Sequence, residues 1–216
     1  MTKIYRHIDQ VLTRPIFGEN RIFPATSLTA MKRADIRPGV FTLEHVVSVE
    51  ECDALIRRAE AQGFEFAPIA TAQGFRIDTE TRNNDRVIFD DIVLASDLWS
   101  RVCGAIPAVM KGRQAVGLNE RFRLYRYAPS QRFSWHSDGA FRRDDGEVSL
   151  LTFMIYLNDD YRGGTTRFED AQVIGRAGMA LVFRHELQHE GATVVAGQKY
   201  ALRSDVMYGR VGQYGD

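Results

Sequence analysis

His136 and Asp138 stand two positions apart in Phe133-Ser-Trp-His-Ser-Asp138, and a second histidine, His189, opens His189-Glu-Gly191. Two imidazoles and one carboxylate can hold three positions on one side of a metal ion and leave the rest open. That is the ligand set of facial-triad Fe(II) centres. On an extended strand, residues i and i+2 point the same way, so His136 and Asp138 can grip one ion together. Alone the triplet is a weak signal, because a histidine and an aspartate so spaced arise by chance and suit an exposed turn equally well. Its weight depends on whether the surrounding elements carry His189 alongside.

Those elements change character along the chain. Residues 1–36 read as an N-terminal extension interrupted by Pro15, Gly18 and Pro24, free to wrap the remainder or to build a homodimer. Residues 37–216 read as one domain, with regular structure beginning near Gly39. Val40–Val46 has strand character. Ser48 and Glu51 form a capping box, and Cys52, Leu55, Ile56 and Ala59 give the following helix an apolar face that Gly63 ends. A second helix is expected over 96–111, kinked or split by Pro107. After Gly117 short strands follow one another. Arg121–Tyr127 alternates, Val148–Leu157 is a nearly continuous apolar run, and Gly178–Phe183 is again apolar. Ala192–Ala196 and Lys199–Tyr208 suggest a closing hairpin around Gly197. Helices first and many short strands afterwards predict an α+β arrangement with a jelly-roll core.

Composition is that of an ordinary globular protein, 44% hydrophobic and 26% charged over 216 residues. Lysine plus arginine number 28 and aspartate plus glutamate also 28. This balance argues against a dedicated nucleic-acid or anionic-membrane binder, and Arg121, Arg123 and Arg126 form the one cluster in favour of such a role. Cys52 and Cys103 lie far from any ligand spacing and read as buried free thiols of a reducing compartment. No apolar run approaches the roughly 20 residues of a membrane span. The segment Met1–His7 lacks the apolar core of a signal peptide, so a cytoplasmic protein is the expectation.

The ordered set Tyr127, His136-x-Asp138, Tyr156-Leu-Asn158, Gly163-Gly-x-Thr166, Gly178-x-Ala-Leu-x-Phe183, His189-Glu-Gly-x-x-Val194 and Gly197-x-Lys199 resembles the 2-oxoglutarate/Fe(II) dioxygenases of the prolyl 4-hydroxylase type. Each motif is weak and their order is specific. The resemblance implies a double-stranded β-helix core with supporting N-terminal helices. It implies Fe(II) held by His136, Asp138 and His189, with 2-oxoglutarate and O2 as co-substrates and room for ascorbate as reductant. It further implies that Lys199 pairs with the distal carboxylate of 2-oxoglutarate, that Tyr156 donates to the same carboxylate and that Tyr127 lines the pocket. Arg203 shares the Lys199 face and is the rival anchor, and His185 is the rival of His189. The activity implied is hydroxylation of a C–H bond on a peptidyl or free amino-acid side chain, with 2-oxoglutarate converted to succinate and CO2.

The substrate side is less marked. Arg82, Asn83, Asn84 and Arg86 form a polar loop suited to a peptide backbone or a carboxylate, and Trp135 and Phe141 adjoin the ligand segment. Arg142–Gly146 reads as an exposed turn or lid. Other readings are a nucleic-acid dealkylating oxygenase with the same core, a cupin-type metalloenzyme using no 2-oxoglutarate and a non-catalytic jelly-roll binding module. The primary substrate and the oligomeric state are not legible.

Overall fold

A computed structural model describes residues 31–71 and 74–212. The chain enters through a hairpin of β1 (Lys32–Arg37) and β2 (Val40–Glu44). In α1 (Val49–Gln62) the Ser48 hydroxyl accepts from the Glu51 N–H, and the Glu51 carboxylate accepts from the Ser48 N–H. Three short strands, β3 (Glu65–Phe66), β4 (Ile69–Thr71) and β5 (Gly74–Arg76), precede β6 (Asp85–Asp90). α2 (Ile92–Val102) runs into a 3₁₀ turn at Cys103–Ala105. Strands follow to the end: β7 (Val109–Met110), β8 (Arg113–Leu118), β9 (Arg121–Tyr127), β10 (Phe133–His136), β11 (Val148–Tyr156) and β12 (Arg162–Gly163). Then come β13 (Thr166–Phe168), β14 (Gln172–Val173), β15 (Ala180–Arg184), β16 (His189–Gly191), β17 (Val194–Ala196) and β18 (Lys199–Arg210).

The strands build two facing sheets, as in a double-stranded β-helix. The large sheet runs β1-β2-β15-β11-β18-β9-β6-β3, and the later half of β18 also pairs with β8. The small sheet runs β10-β16-β13-β14. Alternation decides which residues go where. Leu151, Phe153 and Ile155 of β11 join Leu202, Val206 and Tyr208 of β18 beneath the helices, packed with Leu55 and Leu98. The intervening positions, Thr152, Met154 and Tyr156 on β11 and Lys199, Arg203 and Asp205 on β18, lie in register on the inner face. There Tyr156, Phe168, Leu181 and Phe183 form a second apolar cluster. The Val148–Leu157 run is therefore covered on both faces, which is why it lacks a polar side.

Four expectations need correction. Among the described residues regular structure already begins at Lys32, inside the extension, because β1 pairs along the edge of β2. The second helix starts at Ile92, since the Asp91 carboxylate accepts from the Leu94 N–H at 2.9 Å, and it ends before Pro107. β17 and β18 are not a hairpin: β17 pairs with β12, while β18 crosses to the large sheet. Cys52 is buried but Cys103 is exposed. The readings of Pro15, Gly18 and Pro24, and of a wrapping or dimer-building extension before residue 31, lie outside the described residues. Among the described residues no helix is long and apolar enough to cross a membrane.

Candidate active site

The small sheet closes the gap between the histidines. β10 and β16 pair antiparallel with His136 opposite His189, and the two ring centroids stand 4.2 Å apart. Asp138 Oδ1 lies 3.7 Å from His136 Nε2, and Asp138 Oδ2 lies 3.8 Å from His189 Nε2. One donor atom from each residue falls within 4.8 Å of the others, compatible with a single ion at bonds of about 2 Å.

Hydrogen bonds settle how the rings face. His136 Nδ1 is 2.8 Å from the Ser134 carbonyl, and His189 Nδ1 is 3.0 Å from the Leu187 carbonyl. A carbonyl only accepts, so each Nδ1 carries the proton and each Nε2 keeps its lone pair toward Asp138. Burial, then the neighbouring His189, pushes the His136 imidazole down to about 3, and burial lowers His189 as well. Both rings are neutral at pH 7, as coordination requires. Phe133 stacks on His136 with centroids 3.5 Å apart, and Phe183 meets His189 edge-on at 4.5 Å.

Asp138 is held from two sides. Thr152 Oγ1 donates to Oδ2 at 2.5 Å, and Arg203 Nη1 reaches Oδ1 at 2.8 Å. Burial opposes the charge of this carboxylate, yet Arg203, the two imidazoles and Thr152 hold it well below the usual range. Two neutral imidazoles with fixed tautomers and one ionised carboxylate fit a divalent ion such as Fe(II).

His185 belongs behind this group. Its Nδ1 lies 3.0 Å from Thr152 Oγ1 and its Nε2 lies 2.8 Å from Ser149 Oγ. Thr152 gives its single proton to Asp138, so the His185 Nδ1–H donates to Thr152 and Ser149 donates to Nε2. Ser149 in turn accepts from the Phe141 N–H at 2.8 Å. The chain ties the loop after β10 to the back of Asp138.

Lys199 is 3% exposed and, among the described residues, meets no carboxylate. Its Nζ donates to the Gly164 carbonyl at 2.7 Å and lies 5.5 Å from the Tyr127 ring centroid and 5.2 Å from that of Tyr156. Burial alone pushes its ammonium down to about 8. Gly164 has φ +63°, and a Cβ there would stand 3.2 Å from Lys199 Cδ, so the close approach needs glycine. The Tyr156 hydroxyl shares a 2.7 Å hydrogen bond with Thr166. Arg203 shares the Lys199 face but turns to Asp138 and, at 3.5 Å, to Asp205.

The substrate candidates divide. Arg82 is 5% exposed and its guanidinium lies 4.6 Å from the Tyr125 ring centroid and 4.3 Å from that of Phe133. Asn84 is fully buried and engages Arg82 Nε and the Asp85 carbonyl, each at 2.7 Å, so it is a buttress. Arg86 stands opposite Tyr125 on the inner face. Trp135 is not brought to the group: it is 44% exposed with Arg167 at 6.0 Å, while the register shift in β10 between Phe133 and His136 lets those two residues stack on each other. Arg143 is pinned by Glu120 and Glu147, so the Arg142–Gly146 turn is anchored at its base. The Arg121, Arg123 and Arg126 cluster disperses, since Arg126 pairs with Glu60 and Asp85 while Arg123 turns inward near Asp205. Thr152 went unrecognised in the sequence and Arg123 was read only as part of a basic cluster, although each shares strand parity with a recognised tyrosine, Tyr156 or Tyr127.

Residues 122–204 match the 2OG-Fe(II) oxygenase superfamily, a span that contains His136, Asp138, His189, Lys199 and Arg203. This chain is thus similar to the 2OG-Fe(II) oxygenases over those residues. Its fold is that of prolyl hydroxylases. The collagen prolyl hydroxylase of Paramecium Bursaria Chlorella virus-1, solved as a 2-oxoglutarate complex, superposes with a TM-score of 0.57 at 20% identity, covering 78% of this chain and 95% of that one. A Pseudomonas putida prolyl-4-hydroxylase gives 0.55 at 19% identity, covering 78% and 91%. A Trichoplax adhaerens prolyl hydroxylase, in complex with a hypoxia inducible factor oxygen degradation domain peptide, gives 0.60 at 16% identity, covering 78% and 83%. No curated protein matches the chain. The matched superfamily is named for 2-oxoglutarate and Fe(II), and His136, Asp138 and His189 lie within the matched residues as a group able to hold an ion.

Proposed function

We propose that this protein is a 2OG-Fe(II) oxygenase that uses Fe(II), 2-oxoglutarate and O2, hydroxylates a C–H bond of a peptidyl or free amino-acid side chain and converts 2-oxoglutarate to succinate and CO2. In this reading His136, Asp138 and His189 are the iron ligands, and residues 37–216, extended back by β1, are the dioxygenase domain. The observation that carries it is Lys199, a buried cation that has no counter-ion among the described residues, on the inner face of the sheet that meets the ligands. A buried ammonium so placed calls for an anion, and the distal carboxylate of 2-oxoglutarate supplies one. Tyr127, opposite Lys199 in register, walls that pocket. The Tyr156 hydroxyl reaches the same carboxylate by rotating from Thr166.

Bound Fe(II) supplies oxygen activation and the oxidative decarboxylation of 2-oxoglutarate. The chain's part is positional. Leu187 and Ser134 hold the imidazole tautomers, Thr152 and Arg203 orient Asp138, and Phe133 and Phe183 keep water from the ring faces. The peptide named with the Trichoplax adhaerens structure supports a peptide or amino-acid side chain as the group oxidised. The dispersal of the arginine cluster counts against a nucleic-acid substrate.

The test is release of CO2 from carboxyl-labelled 2-oxoglutarate by the full chain with Fe(II) and ascorbate, followed by a screen of peptides and amino acids for added succinate. Calorimetry with Mn(II) provides the binding arm. Absence of metal-dependent 2-oxoglutarate binding would remove the reading.

A further inference from the structure

The inner face of the large sheet holds more positive charge than iron and 2-oxoglutarate use. Directly opposed residues of paired strands share a face. Arg86 stands opposite Tyr125, and one row along Arg123 stands opposite Arg203. Arg82, from the loop before β6, lies over Tyr125 and Phe133, and Phe133 stacks on His136. Burial would raise the Tyr125 phenol, yet Arg82, Arg203 and Arg123 together pull it below its usual value.

Among the described residues, few carboxylates face these guanidiniums. Arg203 holds Asp138 at 2.8 Å, and Arg203 and Arg123 approach Asp205 at 3.5 and 3.6 Å. Glu65 opposes Arg86 from the exposed end of β3. Arg82 directs its Nε to the neutral Asn84. Each of the four keeps one buried nitrogen without a hydrogen-bond partner: Arg82 Nη2, Arg86 Nε, Arg123 Nη1 and Arg203 Nε. A buried donor left unsatisfied costs about 1–3 kcal/mol, and more when charged. Fe(II) and the 2-oxoglutarate dianion bring equal and opposite charge, so binding them leaves the excess in place.

We infer that Arg82, Arg86 and Arg123, gathered round Tyr125, form a carboxylate-binding subsite for the molecule that is hydroxylated. The inference rests on the hydroxylase reading and narrows its substrate class. A free amino acid or a C-terminal residue supplies such a group, and an internal residue among neutral neighbours does not. Guanidinium forks match a planar carboxylate in two parallel hydrogen bonds, which fixes orientation as well as affinity. Arg203 connects the subsite to Asp138, so a molecule anchored there presents its side chain toward the metal ligands.

The test loads the full chain with Mn(II) and saturating 2-oxoglutarate. Calorimetry then compares N-acetylated amino acids, each as free acid and as amide. At least one acid is expected to bind tenfold or more tightly than its amide. In Arg86→Gln and Arg123→Gln this preference should fall below twofold, with the 2-oxoglutarate Kd changed less than twofold. The Tm of Arg86→Gln should hold or rise, because the substitution removes an uncompensated charge, whereas a structural arginine would lower it. Equal binding of acids and amides throughout, or a preference that survives both substitutions, overturns the inference. Loss of 2-oxoglutarate binding by the unaltered chain is a different result, and strikes the hydroxylase reading first.

Discussion

Arg101 and Lys199 are cations withdrawn from water on opposite sides of the large sheet, and they are treated differently. On the helix side, Arg101 reaches both Glu51 oxygens at 2.9 Å, Asp97 at 2.7 Å and the Val46 carbonyl at 3.0 Å. On the inner side, Lys199 has one carbonyl and two aromatic rings. The Arg101 set clamps α1 to α2 and is complete in itself. Among the described residues the Lys199 set lacks the anion that would offset its desolvation. A paired buried charge holds structure, whereas an unpaired one is a socket whose cost to the fold is offset when ligand arrives.

The metal group tests the inner side most severely. His136→Ala and His189→Ala should each abolish metal-dependent turnover while circular dichroism and Tm stay near those of the unaltered chain. Full activity in either variant would refute the ligand assignment. Next in size is Glu51→Ala, which strips Arg101 of its main partner and breaks the α1 cap. Urea unfolding should show a loss of about 3 kcal/mol, with 2-oxoglutarate affinity unchanged.

Lys199→Met should do the reverse. The 2-oxoglutarate Kd should rise about 100-fold, as expected for truncating one partner of a buried charge pair. The ligand-free Tm should climb on the order of 2–6 °C, since an uncompensated charge is gone. Arg203→Met should leave 2-oxoglutarate affinity far less changed, because Arg203 is occupied with Asp138 and Asp205. The opposite ranking would make Arg203 the anchor and erase the contrast with Arg101.

The smallest effect is one of pH. Burial pushes the Lys199 ammonium down from 10.5 to about 8. The folded chain therefore releases this proton before the unfolded chain does. Between those two values the unfolded state binds more protons, and stability without ligand rises with pH. Anion binding requires the charged form, so 2-oxoglutarate affinity at fixed Mn(II) should weaken above pH 8, by up to about tenfold per unit. Calorimetry at pH 7 and pH 9 reads this directly, and a flat profile would show that another cation holds the carboxylate.

Much of this was legible in residue order. The Ser48–Glu51 capping box, the doubly covered β11 and the shared face of Lys199 and Arg203 follow from local rules of helix caps and strand alternation. The same rules misplace elements when a partner strand decides. β17 resembled half of a hairpin with β18, yet its hydrogen bonds go to β12, because the turn at Gly197 carries the chain from one sheet to the other. Trp135 looked close to the metal by sequence neighbourhood, but the register shift in β10 brings Phe133 against His136 and leaves Trp135 exposed.

The sequence by itself determined the chemistry available: two histidines and an aspartate able to bind a metal, a lysine beyond them, and alternating strands to carry them. Tertiary structure alone decided that His189 rather than His185 meets His136, that Arg203 turns to Asp138 and leaves Lys199 without a counter-ion among the described residues, and that Arg82, Arg86 and Arg123 gather round Tyr125. The reason is range. Alternation says which face a side chain takes, but only the register between strands distant in sequence says what stands opposite it.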